Sequence, residues 1–347
     1  MSMKEIARQA GVSQGTASLV LNGKGDQYRI AAATQERVFE IARQLNYQPN
    51  ISAKRLRSQG ESVVPIIALF WTMDTRWELM GRFLKGVQLA VSQLETEHEI
   101  LIQPYVSSRL SDVKSLLTRT RFNGAIIANP TEEDEAYLEA SDIPVPIVLV
   151  QRDSGKYSTV NVDNDEAGRT VAGLLADRGH REAGLLVPDV SSKAVQLRRY
   201  GFLEECAARG LLVAGGHTVL EDFSEEGGYR GVKRMAEGGS LPGALFCLSD
   251  QMAVGALCAL HELGIAVPGG MEIVGHDDFE TAKYSIPALT TIHLPVEQMA
   301  ASSVRLLVDL MSRKASPPVS VQFQHRLVIR QSCGSPTEKW SRTNSEG

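Results

Sequence analysis

Residues 2–22 read SMKEIARQAGVSQGTASLVLN, and the rest of the chain is best understood outward from them. Ser2 suits the N-cap of a first helix, and Glu5, three residues on, can reach back to complete a capping box. Ile6, Ala7 and Ala10 then fall on one face. Gly11 supplies the positive φ that stops the helix, a conformation that strains residues bearing a Cβ, and Val12 can plug the corner. Ser13 caps a second helix that buries Ala17, Val20 and Leu21. Gln14, Gly15, Ser18, Leu19 and Asn22 are left on its open side. The pattern is a helix-turn-helix whose second helix is shaped for a DNA major groove. Gly11, Ser13 and Gly15 also have the spacing of a hydrolase nucleophile elbow, but that motif needs a buried strand before it. A capped, charged helix stands there instead. The plainer alternative is a helical hairpin with no DNA role.

Beyond a glycine-bearing polar loop, GKGDQYR at 23–29, a third helix is expected to open near Thr34. Val38, Ile41, Ala42 and Leu45 share a face at helical spacing, and Pro49 bars continuation. Three short helices make a head of about fifty residues, marginal in stability by itself. The segment 50–60, NISAKRLRSQG, carries a cap (Asn50), the small or apolar Ala53 and Leu56, and three cations. It is too short to hold as a helix in water. It reads as a linker or, more sharply, as a segment that orders on DNA and offers Leu56 to the minor groove.

Charge supports a division of labour. The 347 residues carry a formal charge of −5. Residues 1–60 hold nine Lys/Arg against four Asp/Glu, a surplus of five positive charges, so the remainder carries ten negative. A basic head on an acidic body implies that the head alone meets phosphate. Cys206, Cys247, Cys258 and Cys333 show no metal-ligand spacing and read as reduced core thiols. The chain opens on a charged helix rather than a secretory segment. Its longest apolar run, Val63 to Trp71, is far short of a membrane span and contains Pro65. A soluble, cytoplasmic protein is expected, with no membrane partner and no cofactor.

From Val63 the pattern becomes short apolar strands alternating with amphipathic helices. Strand-like runs are Pro65–Phe70, Ile100–Gln103, Ala125–Ala128, Ile147–Val150, Ala183–Val187, Ala244–Leu248 and Ile273–Val274. Helical patterns lie between, such as Leu79–Leu94 and Asp165–Asp177. Repeated βα units imply parallel sheets covered on both faces, and about 270 residues suit two doubly wound subdomains better than one. No GxGxxG, Walker or HExxH motif occurs. The polar tail after Ser335 lacks heptads.

These stretches, taken in order, resemble the lactose-repressor/galactose-repressor (LacI/GalR) family of bacterial transcription regulators. EIARQAGVS at 5–13 and LNYQPN at 45–50 carry the resemblance in the head. LSDQMAVGA at 248–256, VGHDDF at 274–279 and PALTTI at 287–292 carry it in the body. It implies an all-α helix-turn-helix headpiece plus an α/β periplasmic-binding-protein-like core of two doubly wound parallel-sheet subdomains. The expected divisions are a DNA-binding head at 1–49, a hinge at 50–61, a core at 62–337 and a disordered tail at 338–347. Within the core, one subdomain spans about 62–163 and 294–324, the other about 164–293 and 325–337. The resemblance further implies a homodimer on palindromic double-stranded DNA, controlled by a sugar-like effector between the subdomains.

Carried over position by position, the base-reading residues fall on Gln14, Gly15 and Leu19. Gln pairs bidentately with adenine, whereas Leu19 offers only apolar contact; many relatives have Arg there. Thr16, Ser18 and Asn22 suit phosphate contacts. Tyr47, Asn50, Ala53 and Leu56 complete the DNA set, with Leu56 as the minor-groove lever. Effector positions map to Arg198 and Asp277, with Phe223 and Trp77 as stacking candidates and Ser249 and Gln151 completing the set. Relatives often have Asn and Asp at those last two positions, so this pocket carries less negative charge. Plainer readings stand beside these: Trp77 in the core or a dimer interface, and Arg198 paired with Glu204 or Glu205 on a helix face. The chain as a whole reads as a ligand-responsive repressor and not an enzyme. The rival classes are a solute-binding protein, which should show a signal sequence, and an α/β enzyme, which should show a catalytic constellation.

Overall fold

Gly11 takes φ +64 and ends the first helix. Its N–H reaches the Arg8 carbonyl while Val12 N–H reaches Ala7, so the corner is closed by hydrogen bonds that satisfy the helix's last carbonyls. The computed structural model describes residues 3–21, 25, 28–44, 64–72, 77–117, 121–239 and 241–334. The chain divides into a small N-terminal unit and a large core.

In the N-terminal unit, α1 (Met3–Ala10), α2 (Gln14–Leu21) and α3 (Ala32–Gln44) enclose Ile6, Ala7, Ala10, Ala17, Val20, Val38 and Ala42. Helix α3 opens two residues before the expected Thr34, at Ala32, because two alanines there favour helix. Ser2 lies outside the described residues. The Glu5 carboxylate accepts from Arg8 and Gln9 on its own helix, and these bonds pull its pKa down to about 2.

The core contains two six-stranded sheets. In the first lobe, β1 (Ile66–Thr72), β2 (Glu99–Tyr105), β3 (Gly124–Ala128), β4 (Ile147–Val150), β5 (Ser158–Val162) and β11 (Ser320–Phe323) lie in the order β11-β5-β4-β3-β1-β2. All pairings are parallel. Helices α4 (Trp77–Ser92), α5 (Glu132–Ala140) and α11 (Val296–Met311) belong to this lobe. In the second lobe, β6 (Gly184–Pro188), β7 (Thr218–Glu221), β8 (Ala244–Cys247), β9 (Glu272–Asp277), β10 (Thr290–His293) and β12 (Arg326–Val328) run β12-β10-β9-β8-β6-β7. Only the edge strand β12 is antiparallel there. Helices α6 (Asn164–Asp177), α7 (Lys193–Arg209), α8 (Glu225–Glu237), α9 (Asp250–Glu262) and α10 (Glu280–Tyr284) surround that sheet. The chain passes between lobes after β5, after β10 and after β11. Each sheet has apolar clusters on both faces, which is why its strands read as apolar runs.

Strands β5, β7, β10, β11 and β12 were not legible from hydropathy. Strands β5 and β10 bury polar residues whose partners come from elsewhere. Asn161 donates to the Arg152 carbonyl at 2.9 Å, and Thr291 donates to Asp250 at 2.6 Å. Helices α6 and α7 meet through glycines: a Cβ on Gly168 would lie 2.1 Å from the Arg198 carbonyl, and one on Gly201 2.0 Å from that of Asp165. Of the cysteines, Cys206, Cys247 and Cys333 are buried, but Cys258 is exposed on α9 and is no core thiol. Its helix turns that residue outward, a matter of phase that composition does not report. No helix among the described residues is long and apolar enough to cross a membrane.

Candidate effector cleft and DNA-facing helix

Four residues with a Cβ adopt positive φ where strands of the core end: Asn129 after β3 (φ 50), Gln151 after β4 (φ 63), and Asp277 and Asp278 at the end of β9 (φ 111 and 56). Such backbone costs about 1–3 kcal/mol per residue and persists where the surroundings impose it. The carboxyl ends of strands are where open α/β sheets receive ligands. Asn129, Gln151 and Asp277 line a cleft at these strand ends, partly open to solvent.

A hydrogen-bonded relay crosses this cleft. Gln151 accepts from the Asn164 amide at 3.0 Å, and Asn164 in turn accepts from Arg198 at 2.9 Å. Arg198 also donates to the Leu248 carbonyl at 2.7 Å. Its guanidinium is fully enclosed, and burial brings its pKa down to about 10 against the opposing pull of Asp277 and Asp250. It does not pair with Glu204 or Glu205; Arg209 takes Glu205 instead. Asp277 bonds the His276 ring at 2.9 Å, and burial, then Arg198, holds that histidine down to about 4. Asp250, behind them, has its pKa raised well above the ordinary range by burial first and Asp277 second.

Of the residues expected around an effector, Gln151, Arg198, Phe223 and Asp277 line this one cleft. Ser249 does not: it holds the N-cap position of α9, with a buried hydroxyl that has no hydrogen-bond partner among the described residues. Trp77 opens α4, and its side chain lies outside the described residues. The aromatic that the sequence reading missed is Trp71, the penultimate residue of β1, tilted against Phe83 with ring centroids 5.5 Å apart. Its signal was its place near the carboxyl end of an apolar strand. Asn129 and Ser192 were also missed, and both line the cleft.

In the N-terminal unit, Ser13 accepts from Thr16 N–H at 3.0 Å, capping α2. Ala17 and Val20 are buried, Gln14 and Gly15 are exposed, and Thr16, Ser18 and Leu19 are half-buried. Of the residues expected to meet DNA, Gln14 and Gly15 are thus the ones turned fully to solvent among the described residues. Asn22, Tyr47, Asn50, Ala53 and Leu56 lie outside the described residues, as do all of 45–63 and the tail after Gly334.

A helix-turn-helix unit and a two-lobed α/β core with a cleft at its strand ends together define the class of ligand-responsive regulators of transcription. Residues 2–50 match the model of the bacterial regulatory proteins, lacI family, and residues 172–333 match the periplasmic binding protein-like domain. A LacI family transcription regulator from Clostridium acetobutylicum of known structure is 32% identical, with a TM-score of 0.74 over 77% of this chain and 99% of that one. The chain belongs to the LacI family of transcription regulators. Among curated relatives, the probable HTH-type transcriptional repressor ExuR of Bacillus subtilis is 26% identical over 96% of this chain and 98% of its own length. The repressor PurR of Proteus mirabilis is 28% identical over 95% and 96%. The structure of the transcriptional regulator CelR with cellobiose shares the fold, at 24% identity and a TM-score of 0.70 over 96% of this chain and 99% of that one.

Proposed function

We propose that this chain is a homodimeric repressor that grips a palindromic operator and is controlled by a sugar-like effector in the core cleft. The observation that carries the reading is the relay from Gln151 through Asn164 to Arg198, with Asp277 beside it on the same cleft wall. It joins residues of both lobes, so a ligand bound there has different contacts in different degrees of closure, the requirement for shifting a conformational equilibrium. Relatives point the same way: the curated ones are repressors, a neighbouring structure is a lac repressor dimer on operator, and others hold cellobiose or ribose. The same relatives favour a regulator over an enzyme.

In this reading residues 1–49 bind DNA, 50–61 are the hinge, and 62–337 bind effector and dimerise, with the subdomains exchanging at about 163/164, 293/294 and 324/325. Gln14, Gly15 and Leu19 face bases, Thr16, Ser18 and Asn22 face phosphates, and Leu56 enters the minor groove with Tyr47, Asn50 and Ala53 in support. Effector binding biases lobe closure and hence the spacing of the two heads. Such coupling is typically about 1–3 kcal/mol and reciprocal. The test is a fragment starting near Ser62. It should dimerise and bind effector yet lose operator DNA, and operator binding retained by that fragment sinks the assignment.

A further inference from the structure

A second groove runs between the lobes where α5 stands opposite α7. Glu135 on α5 and Lys193 on α7 both line it, one from each lobe, together with Arg152, Asp153 and Asp163. The carboxylate is held from behind. A reciprocal capping box of Thr131 and Asp134 fixes the start of α5, and Glu135 is ion-paired to Arg152. Arg152 is itself buried and donates to the Gln151 carbonyl at 2.6 Å, at the residue where the relay to Arg198 begins. Lys193 is exposed and is the first residue of α7. Ser192 makes no side-chain capping bond there, and the first turn carries no acidic residue. A cation at that end works against the helix dipole, so α7 by itself gives no reason for a lysine. The reason lies across the groove. Burial pushes the Glu135 carboxyl up in pKa, while Arg152 and, more weakly, Lys193 pull it down. The other carboxylates of the groove are engaged within their own lobes: Asp163 caps α6 at Glu166 N–H and Asp153 accepts from Asn161, each at 2.9 Å.

We propose that Glu135 and Lys193 are the two halves of an interlobe latch, in which narrowing of the groove seats the Lys193 ammonium on the Glu135 carboxylate. The chain Arg152–Glu135–Lys193 then fastens the start of α7 to the first lobe, and Arg198 rides on that helix. The latch involves no ligand, so it goes beyond the effector reading: it sets the closure from which any effector starts. At a solvent-facing rim such a pair is worth about two- to fivefold in an equilibrium and is screened by salt.

The experiment uses the full chain without DNA or small molecule. A water-soluble carbodiimide joins a carboxylate to an amine only where the two touch, and mass spectrometry of the digest identifies the joined residues. An amide between Glu135 and Lys193 is expected, with a yield that falls about two- to fivefold from low to high salt. Hydrogen exchange over residues 197–202 supplies the second readout. Lys193→Gln should speed it by the same factor, and Lys193→Arg should leave it near the parent. Once Glu135→Gln is present, Lys193→Gln should add nothing. Absence of the 135–193 product overturns the latch, as does a Lys193 joined to Asp153 or Asp163 instead. So does a Lys193→Gln effect of undiminished size in the Glu135→Gln chain. None of these results touches the assignment of the head to DNA or of the cleft to effector, because neither partner is present.

Discussion

The Arg82 guanidinium donates to the main-chain oxygen of Asp277 at 2.6 Å, across 195 residues of sequence and from one lobe to the other. The same side chain donates to the Leu294 carbonyl at 2.7 Å and forks onto the Glu297 carboxylate at 2.9 and 2.8 Å. Asp277 has φ 111 and presents its carboxyl to the cleft. A single cation on α4 thus holds the strand end that carries an effector residue, the passage into α11, and α11 itself. Planar, multiply donating geometry of this kind is particular to arginine.

Replacing it tests the strap. Arg82→Met leaves two carbonyls and Glu297 without this donor and should cost about 2 kcal/mol of unfolding free energy in urea titrations. Effector affinity should fall by an order of magnitude as Asp277 loses its anchor. Arg82→Lys should recover less than half of either loss. Normal effector affinity in a destabilised Arg82→Met would show that Asp277 is held by other contacts.

Gly168 sets where Arg198 stands, because its missing Cβ lets the two helices touch at the Arg198 carbonyl. Gly168→Ala should cost about 1–3 kcal/mol of stability through overpacking and should also weaken effector binding. Gly255→Ala is the control: its Cβ would meet the Glu225 carbonyl at 1.7 Å, on helices α8 and α9, so stability should fall while effector affinity per folded molecule holds. Equal effects on binding from both variants would remove any special role for Gly168.

Gln14 is exposed at the start of α2. If it reads a base, Gln14→Ala should lower discrimination at one operator position by about 1–3 kcal/mol and leave binding to unrelated DNA nearly unchanged. Gel shifts at one fixed salt concentration with operator and scrambled duplexes decide it. A uniform loss on both duplexes would make Gln14 a backbone contact.

Acid should weaken the core in two steps. Burial holds His276 down to about 4, with Arg198 adding to that and Asp277 opposing it, so between its ordinary value and about 4 the unfolded chain binds the proton and the folded one does not. Stability is full above pH 6.5 and falls as pH drops toward 4, by about 2–3 kcal/mol for a wholly buried ring. Burial raises Asp278, but its bonds to His293 and Arg330 outweigh that and bring it to about 2. Its contribution is present above pH 3.8 and lost as pH falls toward 2, about 1 kcal/mol after allowance for solvent screening. Urea unfolding across this range should show the upper step vanish in His276→Gln and the lower one shrink in Arg330→Gln. A flat profile between pH 6.5 and 4 would mean that His276 is charged in the fold.

Local signals carried much of this. Gly11 between two capped helices was readable because its conformation is a property of the residue itself, and the apolar runs of β1, β3, β4, β6 and β8 because strands buried on both faces admit little else. Strands β5 and β10 were not readable. Their buried Asn161, Thr290 and Thr291 are tolerated for partners on other elements, Arg152, Arg330 and Asp250. Trp71 went unnamed because nothing local says which aromatic a strand delivers to a cleft.

By itself the sequence determined a basic helix-turn-helix head, an acidic α/β body and membership in a family of regulators, since capping, periodicity and motif order are written residue by residue. Tertiary structure alone decided the cleft: which strand ends twist to positive φ, that Asn164 links Gln151 to Arg198, and that Arg82 holds Asp277. Those depend on groups far apart in the chain, whose hydrogen bonds and close approaches exist only once two sheets, joined by repeated crossings, have been packed into place.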